Sequence, residues 1–210
     1  MKTPRVFGIE FHKSGTSSLG QALEILGYRV CGVSQDRNRK DLAERLHEFA
    51  WDYVDNQSHD AFQDNPWPIL YREIDERYPG SKFVLTVRPT EKWVASQVRH
   101  FGTKMTTMRQ LIYGAGCPEG NEAVYAERFD HHNAEMRVYF EGRPQDMVEI
   151  ELGAPDSWEL LCGLLDQPAP GVDWPHSNPA AERERRGRGL RGVWNRVASR
   201  LSRLRHQPGR

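Results

Sequence analysis

Six consecutive residues, Lys13, Ser14, Gly15, Thr16, Ser17 and Ser18, suit a single ligand type. Lys13 brings a full positive charge, Gly15 lets the backbone curl closely around an anion, and four hydroxyls offer donors. Phosphate or sulfate fits such a set. The competing structural reading is that Ser and Thr cap a helix while Lys13 is a solvated surface charge. Further along, Arg88 offers a planar fork suited to phosphate, and Ser96 adds a hydroxyl two helical turns later. Taken alone, Arg88 reads better as a strand-end ion pair and Ser96 as a small packing residue; the pairing with the first run is what favours a phosphate. A carboxylate at Asp64, with His59 and Asp60 close by in sequence, supplies candidates for a base.

These residues need elements to position them. Val6–Phe11 is an apolar, β-prone run, and Leu19, Ala22, Leu23 and Leu26 recur at helical spacing, so the six-residue run joins a strand to a helix N-terminus. Gly27 is expected to end that helix and Tyr28–Val33 to form a second strand, completing a βαβ unit with the connection lengths of a parallel sheet. Downstream, the pattern predicts a helix over Asp41–Phe49, a short strand at Ala61–Gln63 and a helix over Pro68–Tyr78. Lys82–Val87 reads as a buried strand, and Thr90–Phe101 as the helix after it. A long helix over Glu122–Phe140, a strand at Met147–Ile150 and a helix over Ser157–Leu165 capped by Ser157 complete the alternation. The fold class is α/β with a parallel sheet, in one domain over residues 1–178.

The loop is not a Walker A sequence, because Lys13 precedes Gly15 instead of following the last glycine. FHKSGTSSL, from Phe11 to Leu19, resembles the 5′-phosphosulfate loop of sulfotransferases that use 3′-phosphoadenylyl sulfate (PAPS), whose forms are close to PKSGT and HKTGTTSL. Arg88 and Ser96 are similar in order and spacing to that family's 3′-phosphate ligands. SWELLCGLLDQP and Trp174–Asn178 also look like the family's bacterial type, so the likeness covers residues 5–178. It implies a three-layer α/β/α, P-loop NTPase-like fold, PAPS as sulfuryl donor, a small acceptor bearing a hydroxyl or amine, and no metal. Lys13, Ser14, Gly15, Thr16, Ser17 and Ser18 would hold the 5′ side, Arg88 and Ser96 the 3′ side, and Lys13 would also act in catalysis. Two departures stand out: Leu19 where relatives often carry an adenine-stacking Trp, and His12 where they carry Pro.

Where the family has His-x-Pro, this chain has Asp64-Asn65-Pro66, which gives Asp64 the base's position. An Asx turn with Pro66 explains the same residues equally well. His59 and Asp60 are reserves, and His100 reads as structural. The Met-, Thr- and Gly-rich segment Gly102–Glu122 is expected to help wall the acceptor site. Two other functional classes remain open: a nucleoside kinase or NTPase on a diverged P-loop, and a non-catalytic nucleotide-binding adaptor.

Composition narrows the setting. A mean hydropathy of −0.74 and the lack of a long apolar run exclude a membrane-spanning helix. With no signal-peptide pattern and three widely spaced cysteines, Cys31, Cys117 and Cys162, the chain is expected to be cytoplasmic with free thiols. The formal net charge is zero, yet residues 183–210 hold ten Arg against the single Glu184. An acidic body with a basic end argues against nucleic-acid binding. Residues 179–210 form an appended tail in which Leu190, Trp194, Val197, Leu201 and Leu204 trace an amphipathic basic helix. It suits an anionic membrane or acidic partner, the acidic body itself, or a remnant of the family's GxxGxW loop, which would bring Arg188 and Gly189 to the 3′-phosphate.

Overall fold

The computed structural model describes residues 5–32, 37–55 and 58–176. The Arg-rich tail, the end of the domain near Asn178, and Val33 lie outside the described residues. Up to Pro175 the chain forms one unit.

The sheet has five strands in the order β2-β3-β1-β4-β5, and every pairing is parallel. The strands are β1 (Val6–Gly8), β2 (Val30–Cys31), β3 (Ala61–Phe62), β4 (Lys82–Val87) and β5 (Met147–Glu151). Alternate side chains pass to opposite faces. On one face Val6, Ala61, Val84 and Ile150 meet Leu19, Ala22 and Leu23 of α1 (Thr16–Ile25) and Leu161 and Leu164 of α7 (Ser157–Leu165). On the other, Phe7, Phe62, Phe83 and Leu85 join an aromatic-rich core with α2 (Leu42–Asp55), α3 (Tyr71–Arg77), α4 (Thr90–Phe101), α5 (Thr107–Tyr113) and α6 (Glu122–Tyr139). The result is three layers, α/β/α. No helix among the described residues is long and apolar enough to cross a membrane.

Several boundaries differ from the sequence expectation, each for a local reason. β1 stops at Gly8, not Phe11, because the carbonyls of Ile9, Phe11 and His12 are taken by side chains instead of a neighbouring strand. Described pairing of β2 is limited to Val30–Cys31 within the expected Tyr28–Val33, since Gly27 and Tyr28 still donate back to Glu24 and Leu23. The expected Pro68–Tyr78 helix divides into a 3₁₀ turn, Trp67–Ile69, and α3. Asp156, not Ser157, is the N-cap of α7; the Ser157 hydroxyl donates backward to the Ala154 carbonyl at 2.7 Å. Within 102–122 the chain forms α5, capped by the Thr106 side chain accepting from Arg109 N–H and pinned by the Arg109 guanidinium on the Gly116 and Lys104 carbonyls.

Candidate active site

Because all strands run the same way, the segments leaving β1, β3, β4 and β5 emerge on one edge of the sheet. Three of them carry the residues singled out above: 9–15 after β1, Gln63–Pro66 after β3, and Arg88–Pro89 after β4.

The first segment is held by its carbonyls. His132 of α6 donates Nε2–H to Ile9 O at 2.7 Å and stacks on Phe11 with ring centroids 4.2 Å apart. The Ser14 hydroxyl donates to Phe11 O at 2.5 Å. Trp93 Nε1 and Gln97 Nε2 of α4 both donate to His12 O, at 3.0 and 2.8 Å, and Arg88 Nη1 donates to Lys13 O at 3.1 Å. With these acceptors anchored in protein, the loop turns into α1 through Gly15 at φ 129°, a value that disfavours any side chain. A Cβ there would lie 3.2 Å from Leu152 Cδ1, which would have to give by a few tenths of an ångström, and in ordinary contact with Thr86 Oγ1 at 3.5 Å. Lys13 itself has φ 74°, in the left-handed region. Gly15 offers no side chain to the first-turn N–H groups of α1, which have no acceptor within a helix and carry the positive end of its dipole.

Within the predicted run the residues separate into two roles. Ser14 is fully buried, and its hydroxyl is turned into the loop, where it shapes the turn. Thr16 and Ser18 are buried, whereas Ser17 is exposed. Arg88 is half-buried, its Nε has no partner among the described residues, and burial together with the Arg99 charge works against its protonated form. Ser96 lies on the buried face of α4, the face from which Trp93 and Gln97 reach the loop. Thr86 Oγ1, beside Gly15, is buried without a partner among the described residues.

Asp64 sits two residues beyond β3, only 9 % exposed, with φ 70°. Its Oδ1 accepts Asn65 N–H at 2.7 Å. Burial pushes its carboxyl up to about 6, against the lowering effects of that N–H, Lys13 and Arg37. The reserve bases are not part of this arrangement. His59 and Asp60 precede β3, at the opposite edge of the sheet, and Asp60 is engaged by the Arg29 backbone at 2.6 Å and by its guanidinium at 3.0 Å. His100 packs edge-on against Phe101 on α4.

The sequence reading missed the loop's anchors and its buried acid. Trp93, Gln97 and His132 had no signal beyond being polar groups at core spacing on helices. Glu10 is wholly buried with neither carboxyl oxygen bonded to another described residue; burial raises its pKa well above the usual carboxylate range against the effect of its own backbone N–H, and Asp64 adds to the rise. A polar cleft between β4, β5 and α6, lined by Arg88, Thr90, Asp130, Asn133, Arg137 and Glu151, shares Arg88 with the site but none of the phosphate-loop residues. No group of three or more His, Cys, Asp or Glu among the described residues is arranged to hold a metal ion.

The sulfotransferase domain family matches residues 5–183. A curated relative, Ava biosynthesis cluster protein M from Aspergillus versicolor, is 24 % identical over 170 residues, 69 % of this chain; the chain spans 60 % of that relative's length. A sulfotransferase from Alicyclobacillus acidocaldarius has a similar solved structure, with a TM-score of 0.52 at 16 % identity, covering 100 % of this chain and 98 % of that one. The latter likeness is one of fold.

Proposed function

The chain belongs to the sulfotransferase domain family, and from that premise we propose that it transfers a sulfuryl group from PAPS to a hydroxyl or amine of a small acceptor. The observation that carries this reading is the convergence, on one sheet edge, of an open helix N-terminus, Lys13, the half-buried Arg88 and the buried Asp64. The group fits the residues present: first-turn amides suit the 5′-phosphosulfate, and an arginine whose Nε has no partner among the described residues suits a second phosphate.

In the transfer a bond forms between the acceptor oxygen or nitrogen and sulfur, and the bond from sulfur to the 5′-phosphate oxygen breaks, leaving adenosine 3′,5′-bisphosphate. Charge gathers on the peripheral and leaving oxygens, where the fixed first-turn amides and Lys13 act without reorganising. Arg88 and Ser96 hold the 3′-phosphate, which fixes the donor's register. Asp64 takes the acceptor's proton; a carboxyl raised to about 6 is a stronger base than an ordinary aspartate yet mostly ionised at neutral pH.

The direct test follows ³⁵S from labelled PAPS into a panel of phenols, sugars and lipid alcohols, with release of the bisphosphate measured alongside. Transfer to any of these is the expected result. Hydrolysis of Mg-ATP without sulfuryl transfer would assign the site to a diverged NTPase. Bisphosphate binding without transfer would make the chain a nucleotide-binding adaptor.

A further inference from the structure

We propose that His12 is a positioning residue for Asp64, acting through Asn65 to tie the phosphate loop to the segment that carries the base. The proposal rests on the reading of Asp64 as base. Asn65 Nδ2 and His12 Nδ1 are 2.6 Å apart, and both residues are buried, at 6 % and 5 % exposure. Asn65 also donates its main-chain N–H to Asp64 Oδ1 at 2.7 Å. One residue thus holds the carboxylate with its backbone and the phosphate loop with its side chain. Asp64 adopts φ 70°, which an L-residue holds only when its surroundings impose it, and the Asn65 tether on the next residue is such a constraint.

His12 is built for the task. Its carbonyl is fixed by Trp93 and Gln97, and its ring is wedged edge-on against Phe101 and Tyr113 at 5.0 and 5.7 Å. Burial, then Arg109, with smaller contributions from Lys13 and His100, lowers its pKa to about 3 against the opposing effect of Gln97. The ring is therefore neutral at neutral pH, and Nδ1 acts as acceptor for the Asn65 amide while the proton sits on Nε2, which is buried with no hydrogen-bond partner among the described residues. A charged His12 would present a donor to that amide's N–H and repel Lys13. The same contact brings the carboxylate and the charged groups of the phosphate loop into one rigid frame, the condition for short-range proton and sulfuryl transfer.

Groups that act on Asp64 come from several elements: Lys13 from the phosphate loop, Arg37 ahead of α2, Glu10 after β1 and Tyr113 on α5. None of them changes when His12 is replaced by an uncharged residue, so a shift in Asp64 reports the tether. Releasing Asn65 loosens the N–H bond that favours the ionised carboxylate, and the midpoint should rise.

The test is the titration of Asp64 by NMR in protein labelled with [γ-¹³C]aspartate, the resonance being assigned by its loss in Asp64→Asn. His12→Leu should move the midpoint upward by about one unit, and Asn65→Ala, which removes the bond from the other side, should do the same. His12→Asn places an amide oxygen near the position of Nδ1 and should restore the wild-type midpoint. Affinity for adenosine 3′,5′-bisphosphate, within about twofold of wild type, verifies folding. An unmoved midpoint in both His12→Leu and Asn65→Ala overturns the proposal, as does a His12→Asn shift equal to that of His12→Leu. If His12→Leu does not fold, Asn65→Ala decides alone. The parent reading fails separately: it falls if Asp64→Asn retains turnover whatever the midpoints, and then the positioning role falls with it. With Asp64→Asn inactive and the midpoints unmoved, only the His12 link is lost.

Discussion

A solvated aspartate is ionised at neutral pH but too weakly basic to help much with a hydroxyl proton. Asp64 is shifted toward usefulness by burial, which outweighs the Asn65 N–H and the charges of Lys13 and Arg37 and leaves the carboxyl at about 6. Asp64→Asn keeps the shape and removes basicity, so turnover should fall by about two orders of magnitude or more with bisphosphate affinity almost unchanged. Protonation removes the base; kcat/KM should therefore be flat above about pH 6 and fall about tenfold per unit below it. That limb should vanish in the residual activity of Asp64→Asn. His12, at about 3, and His132, at about 4, are neutral through this range and cannot supply it. Lys13→Ala should lower turnover more than nucleotide affinity, because the charge matters most where charge develops in the transition state. Equal losses in the two quantities would reduce Lys13 to a binding residue.

At the scale of elements, the phosphate loop is a backbone whose acceptors are committed elsewhere: α6 takes Ile9 O, α4 takes His12 O, and Arg88 takes Lys13 O. Gly15 completes the turn under two constraints, a φ of 129° and contact with Leu152 and Thr86. Gly15→Ala should cost about 1–3 kcal/mol of stability, read from denaturant unfolding, and weaken bisphosphate binding at the same time. An alanine variant with wild-type values for both would show that the loop tolerates another conformation. The loop, β4 and the helices α4 and α6 were legible because apolar periodicity and a run of small hydroxyl residues are local signals. The anchors were not: that Trp93, Gln97 and His132 aim at loop carbonyls depends on how α4 and α6 pack across the sheet, which no spacing records. Asp60 stood in reserve to Asp64 because only four positions separate them in sequence, yet β3 lies between them, so one precedes the strand and the other follows it. Ser14 likewise resembles its neighbours in type, and only the folded turn shows its hydroxyl directed inward.

On the scale of the whole molecule, a parallel sheet turns separate stretches of sequence into one site by placing every strand's carboxyl end on the same edge. The described core closes with α7 and the packing of Trp158 against Trp174, at 4.9 Å between ring centroids, before the Arg-rich residues begin. Removing residues 183–210 should leave bisphosphate affinity within about twofold and abolish salt-sensitive association with anionic vesicles, measured by co-sedimentation at low and high ionic strength. A collapse of bisphosphate affinity would instead bring Arg188 and Gly189 into the 3′-phosphate site. What most directly tests the nucleotide reading is a calorimetric comparison of adenosine 3′,5′-bisphosphate with adenosine 5′-phosphate, on wild type and on Arg88→Ala. The wild type should bind the bisphosphate at least about tenfold more tightly, since a charge-assisted arginine contact is worth roughly 1.5–3 kcal/mol, and most of that preference should disappear in Arg88→Ala. Equal affinity of the wild type for the two ligands, or a preference for Mg-ATP over both, would contradict a site built around the 3′-phosphate.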